Sequence, residues 1–434
     1  MAQQAELARL IGEYRGGVPG PRVIFLGGVH GNEPAGIIAL ERVLSVLHAA
    51  HPPFRGKMLA LRGNLAALAR SSRYVDEDLN RIWTLPRLNA LAECPRKESA
   101  GTAEEKEQRE LFRILQPILH DCSAPVYLVD LHTTSSESPP FLILADTIRN
   151  RKLARQVPAP LILGMEELLE GTILNYVGDL GISALAFEAG QHGQQRSVEH
   201  HVAAIWILLS AAGCLSAAHV PGFEAGRALL AESVAGLSRV FEVRFRYGVQ
   251  AGEEFRMEPG YRNFRKIKRG ETLARSRAGA IRSPFDGHIF MPLYQSQGND
   301  GFFVIRPVAS FRLKLSEWLR RLKIDKLLPF LPGISRNPSA PDEVTANPLI
   351  ARWYVPEVFH LLGYRKIRIE GRRLIFVKHR YDLYGPEKEQ VRSKKWQVAS
   401  VNVSEPITFA HSLQLLLATS HLQLATALLC NLPL

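Results

Sequence analysis

Cysteine is scarce in this chain, and none of it is paired. Cys94, Cys122, Cys214 and Cys430 lie far apart and form no CxxC. Their scatter argues against a cysteine zinc site or a disulfide framework and suits a reducing compartment. The stretch MAQQAELARLIGEYRGG lacks a basic start followed by an apolar core, so no signal peptide is expected and the cytoplasm is the default location. Internal repeats and recognisable nucleic-acid motifs are also missing. Charged residues make up 22% and hydrophobic residues 46%, ordinary values for a globular chain of two or three domains. The net charge of +12 is unevenly spread: residues 310–434 hold 19 Lys/Arg against 10 Asp/Glu. With no nucleic-acid motif beside it, this excess reads as a solvated basic surface.

What is present, from about residue 20 to 215, is an alternation of strand and helix patterns. VIFLGG, KMLALRGN, PVYLVDLH, PFLILAD and ISALAFEAG read as strands. Between them lie helical segments from Pro34 to about His48 and over EEKEQRELFRILQPILHD, whose charged and apolar faces separate. SVEHHVAAIWILLSAAG is a further helix closed by glycine. The alternation predicts an α/β fold with a mostly parallel sheet flanked by helices. Near residue 238 short strands with Gly, Pro and Asp turns take over, as in a small all-β domain. Beyond it come a basic amphipathic segment, FRLKLSEWLRRLKIDKLLPFLPG, an expected linker, SRNPSAPDEVTANP, and a hairpin turning at Glu370-Gly371. A Leu-rich segment, HSLQLLLATSHLQLATALLCNL, ends the chain; its histidines and glutamines favour a packed helix over a membrane span. The organisation is thus an α/β domain over residues 1–235, a β domain over 236–309, and a basic α+β extension over 310–434.

Three of the predicted strands end in groups of one chemical kind. The first ends in His30 and Glu33 within HGNEP, another in His132 within VDLHTT, another in Glu188 within LAFEAG. An HxxE spacing occurs by chance in many chains, and a lone strand-end histidine is more often hydrogen-bonded than ligating. The shared location changes the weight, because ligands gather beyond the carboxyl ends of strands in open α/β sheets. Two imidazoles and one carboxylate make a familiar catalytic zinc set, and a further carboxylate can take a proton from water. A polar stretch, SSRYVDEDLNRIW, adds Arg73, Asp76, Asp78, Asn80 and Arg81, whose guanidinium forks suit carboxylates and oxyanions. On its own, such a stretch equally suits a salt-bridged surface turn.

The ordered set HGNEP, RYVDEDLNR, DLHTT and FEAGQHG resembles the succinylglutamate desuccinylase/aspartoacylase family of zinc carboxypeptidase-like hydrolases, over roughly residues 10–309. The resemblance implies the zinc-carboxypeptidase-like α/β fold with an appended β domain and one Zn2+ on His30, Glu33 and His132. Glu188 would be the general base and then the proton donor, and Arg73 would stabilise the oxyanion. Asn80 and Arg81 would hold a substrate carboxylate, and Asp130 or Asp78 would orient a zinc-bound histidine. The implied reaction is hydrolysis of the amide of a small N-acyl amino acid. A homo-oligomer is left open, and neither nucleic acid nor membrane is expected as a partner. The competing readings are a zinc carboxypeptidase acting on a peptide C-terminus and a non-catalytic binding protein using the basic extension. Two features of the family's aspartate-specific branch have no match. Gly178 and Asp179 stand where it has an arginine before the base, and GNDGFF, with Phe302 and Phe303, stands where it has a tyrosine. The reading therefore disfavours N-acetylaspartate, and the phenylalanines hint at a less polar amino-acid part.

Overall fold

Period-two burial builds the centre of the molecule. In a computed structural model, residues 7–93, 101–336, 340, 342–347, 355–370 and 373–386 are described. They belong to one compact unit, residues 1–387. Eight strands cross its α/β part: β1 (Leu10–Arg15), β2 (Val18–Gly27), β3 (Arg55–Arg62), β4 (Val126–Thr134), β5 (Phe141–Leu144), β6 (Leu161–Leu163), β7 (Ser183–Gln191) and β8 (Val240–Gly248). Their spatial order is β1-β3-β2-β4-β7-β5-β6-β8. The neighbours are parallel except at β1–β3 and β7–β5. Side chains alternate between the two faces along each strand. Val23, Phe25, Val129, Leu131, Leu185 and Phe187 therefore pack on one face, and Ile24, Leu26, Leu128 and Ala184 on the other.

The helices cover both faces for reasons legible in their ends. The first, Ala35–Ala50, starts directly after Pro34 and stops at His51, which takes a left-handed conformation. The helix Ala103–Leu119 begins with a capping box, Thr102 accepting from the Glu105 amide while Glu105 returns to the Thr102 amide. The helix Gln195–Ala212 ends at Gly213.

The strands after residue 236 fall into two groups. β13 (Gly287–Phe290), β14 (Asp300–Pro307) and β10 (Lys266–Ile267) continue the main sheet beyond β8, which makes eleven strands in all. β9 (Arg256–Met257), β11 (Thr272–Ser276) and β12 (Gly279–Arg282) form a small antiparallel sheet.

A third sheet, in the order β15-β16-β18-β17, comes from β15 (Ile334–Arg336), β16 (Glu343–Ala346), β17 (Tyr364–Glu370) and β18 (Arg373–Lys378). The expected hairpin is β17–β18. The expected linker is corrected in part, because its EVTA stretch forms β16 and buries Val344 and Ala346. The helix Ser310–Arg321 buries Leu313, Ser316 and Arg320. The Leu-rich segment at residues 411–432 lies outside the described residues. Among those described, no helix is long and apolar enough to cross a membrane.

The extension is fastened to the α/β part by buried charge. Asp146 follows β5 and takes Arg151, Arg320 and Arg365 on its carboxylate. Arg320 also reaches Asp382, and Arg365 reaches Glu167 and Glu242. Burial alone would raise the Asp146 carboxyl, but the three guanidinium groups hold it well below the usual carboxylate range.

Candidate metal centre and active-site cavity

The alternation that builds the core also aims the site. Asp130, His132, Ala186 and Glu188 share parity with Leu128 and Ala184, so they face the same side of the sheet. His132 and Glu188 are register partners on β4 and β7. His30 and Glu33 sit in the turn between β2 and the first helix. This turn can only be made with Gly31, since a Cβ there would lie 2.1 Å from the backbone of Ala67. The outcome is a buried triad, His30, Glu33 and His132, whose donor atoms lie within 4.8 Å of one another.

Each imidazole is held from both sides. His30 turns Nδ1 to Glu33 Oε1 at 2.9 Å and Nε2 to Asp78 at 3.2 Å. His132 turns Nδ1 to Glu33 Oε2 at 3.2 Å and Nε2 to Asp130 at 2.7 Å. The sequence left Asp130 and Asp78 as alternatives; each holds a histidine of its own. The Thr133 amide donates to Glu33 at 2.8 Å. Each Nε2 thus meets an aspartate and each Nδ1 points inward to Glu33, so the two aspartates are placed to orient the rings were both to ligate a metal.

The electrostatics call for positive charge at that point. Burial pushes Glu33 up, but the charge of His30 and hydrogen bonds from both rings outweigh it, leaving Glu33 well below the usual range. Burial pushes His132 down, but Asp130 and Glu33 lift it well above an ordinary histidine. Glu33, Asp78, Asp130 and Glu188 lie close together with Arg73 and Arg81 beside them, and Oδ1 of Asp130 and Oε2 of Glu188 are buried without a hydrogen-bond partner. Such a set fits a divalent cation on chemistry, spacing and charge. Burial first, and the neighbouring carboxylates after it, push Glu188 up to about 8.

The seven residues assigned ligating, catalytic or substrate-binding roles from the sequence line one cavity: His30, Glu33, Arg73, Asn80, Arg81, His132 and Glu188. Arg73 is bound by Asp78 through Nε and Nη2, while its Nη1 stands 3.8 Å from Glu33. Asn80 accepts the Ile173 amide on Oδ1. Arg81 gives Nη2 to Asp300 and Nη1 to the Asn80 carbonyl, and its buried Nε has no hydrogen-bond partner. Phe302 and Phe303 are not at the mouth, which corrects the hint drawn from them. They point to opposite faces of β14, are fully buried in two different apolar clusters, and line no part of the cavity.

Other contributors escaped sequence reasoning. Glu104 looks like a surface residue in a charged helical run, yet it is fully buried. Its carboxylate accepts the Asn64 side-chain amide and the backbone amides of Val75, Asp76 and Glu77, which fixes the loop carrying Arg73 to Arg81. The segment between β13 and β14 closes over the same loop: Gln297 takes the Arg73 amide and donates to the Tyr74 carbonyl, and Gln295 takes Asn32. His192 pairs with the Thr133 hydroxyl at 2.7 Å.

A buried two-histidine, one-carboxylate set that could hold a metal ion, with a further carboxylate beside it, thus lies in a cavity at the strand ends. Residues 19–205 match the model of the succinylglutamate desuccinylase/aspartoacylase catalytic domain. Among curated relatives, N-acyl-aromatic-L-amino acid amidohydrolase (carboxylate-forming) of Rattus norvegicus is 34% identical over 122 residues, 28% of this chain and 36% of its own length. Succinylglutamate desuccinylase of Pseudomonas aeruginosa (strain LESB58) is 31% identical over 114 residues, 26% of this chain and 31% of its own. The chain thus spans about a third of the length of the curated relatives it matches. Among solved structures, a succinylglutamate desuccinylase/aspartoacylase from Rhodobacter sphaeroides aligns with TM-score 0.49 and 20% identity over 69% of this chain and 88% of its own. Murine aminoacylase 3 aligns with TM-score 0.45 and 20% identity, over 67% and 96%.

Proposed function

We propose that this protein is a zinc-dependent amidohydrolase that cleaves the linear amide of a small N-acyl amino acid, releasing a carboxylate and a free amino acid. The observation that carries the proposal is the convergence of the triad, Glu188 and two arginines on one cavity. It is supported by relatives named as deacylases of acyl amino acids. His30, Glu33 and His132 would hold the zinc, and bound there it would supply a Lewis acid that acidifies water and polarises a carbonyl.

The remaining roles belong to this chain's own groups. Glu188 takes a proton from the attacking water as the C–O bond forms. It returns that proton to the amide nitrogen as the C–N bond breaks. Burial and the neighbouring carboxylates raise its affinity for a proton, in keeping with its holding that proton between the two steps. Arg73 faces the metal centre with the Nη1 that Asp78 does not use, and there it stabilises the negative oxygen of the tetrahedral state. Arg81, through its unpartnered Nε, and Asn80, through its side-chain amide, hold the substrate carboxylate. The expected location is the cytoplasm.

The test is amine release from N-acyl amino acids by zinc-loaded protein. The panel should carry acetyl, succinyl and longer acyl groups on acidic, basic and apolar amino acids. Turnover on some members supports the reading. Silence across the whole panel, with zinc present one to one, would overturn it in favour of a peptide substrate or a binding role.

A further inference from the structure

The cavity does not end at the catalytic groups. Part of its wall is apolar, made by Ile143, Leu144, Met165 and Leu169, and the lining includes Glu166. A carboxylate in such surroundings is costly unless something pairs with it. Glu166 is 8% exposed. Its Oε1 accepts the Asp146 amide at 2.9 Å, while its Oε2 is buried with no hydrogen-bond partner. Burial would raise this carboxyl, but His379 and Arg365 keep it below the usual range, so it is an anion.

The neighbouring charges form one network. Asp146, Glu167, Glu242 and Asp382 share three buried arginines, Arg151, Arg320 and Arg365, while His360 and Arg244 also pair with these carboxylates and His379 lies 4.0 Å from Glu166 Oε1. None of these partners uses Oε2 of Glu166. Meanwhile Arg73 and Arg81 line the same cavity beside the metal centre. One cavity thus combines guanidinium groups, an apolar wall and a buried carboxylate oxygen without a partner. That pattern complements a molecule with a carboxylate at one end, methylenes between, and an ammonium or other donor at the far end.

We infer that Glu166 is a specificity-determining residue that selects a substrate arm built of methylenes and tipped with an ammonium group. The inference rests on the amidohydrolase reading for its catalytic consequence, but not for the binding preference. Two sources can supply such an arm: a basic amino-acid part, or an ω-amino acyl part.

The test uses matched pairs on the full-length zinc-loaded protein and on Glu166→Gln, which retains an oxygen for the Asp146 amide. Nα-acetyl-lysine against Nα-acetyl-norleucine reads the first source. Aminohexanoyl-norleucine against heptanoyl-norleucine reads the second. In the wild type the charged member of one pair should have the higher kcat/KM by about tenfold or more, the usual worth of a buried charge-assisted hydrogen bond. In Glu166→Gln that ratio should fall toward one.

Calorimetric binding of free lysine against free norleucine, and of aminohexanoate against heptanoate, repeats the comparison without turnover. If no amide is cleaved but an ammonium ligand binds better, and the advantage disappears in Glu166→Gln, the inference stands while the amidohydrolase reading fails. If the wild type turns over both pairs with ratios near one, the inference is overturned while the function stands. Should Glu166→Gln not fold, the wild-type ratios alone decide.

Discussion

At the scale of single residues, the most informative groups hold others in place. Asp130 touches no reacting atom in this account, yet it fixes the His132 ring through Nε2. Changing Asp130→Asn should weaken zinc affinity by about 10–100-fold, the usual effect of losing such a partner. Competition with a chelator measures it, and unchanged affinity would remove Asp130 from the metal centre. His201 gives the second prediction. It is fully buried against Phe187, with neither ring nitrogen hydrogen-bonded, and burial lowers it to about 3. The unfolded chain takes up that proton near pH 6.5, and the folded chain only near 3. The stability this residue contributes is therefore complete above pH 6.5 and is lost as pH falls toward 3. Denaturant unfolding between pH 7 and 4 should show a flatter decline for His201→Leu than for the wild type.

At the scale of elements, the sequence was most readable where a side chain's role follows from its own neighbours. β2, β4 and β7 are long apolar runs ending in polar motifs, so both the strands and the residues at their tips were evident. β1 is a half-exposed edge strand and β6 has three residues, too little pattern to stand out. β16 was hidden in a stretch rich in Pro and Asn, because its burial is decided by β18 rather than by its flanks. Glu104 was illegible for a related reason. A glutamate in the first turn of a charged helix normally faces water, and only the fold brings four amide donors to it. Glu104→Ala should leave those donors unmatched and cost roughly 2–4 kcal/mol. The Arg73–Arg81 loop should loosen as well, raising KM for acyl amino acids. Denaturant melts and steady-state kinetics check both, and a variant with wild-type stability would show that the loop is held elsewhere.

At the scale of the whole molecule, the extension is part of the frame that carries the cavity. Its arginines converge on Asp146, in the turn between β5 and the helix Ile148–Ala154, beside Ala145 of the cavity wall. No sequence pattern announces this cluster, because Asp146, Arg151, Arg320 and Arg365 are scattered along the chain and meet only in space. Asp146→Ala would leave three buried guanidinium groups facing one another, a loss of roughly 3–5 kcal/mol. Thermal unfolding should show a large drop in stability, and a drop of a few tenths would mean the cluster is solvated.

On the proposed function, one cavity holds a zinc centre and a separate proton-transferring carboxylate, Glu188. The most direct test is Glu188→Ala, assayed for zinc content and for amine release in the same preparation. The account predicts one zinc per chain and turnover lowered to background. A variant that keeps zinc and full activity would contradict the assignment of Glu188, and one that loses zinc would place Glu188 among the ligands instead.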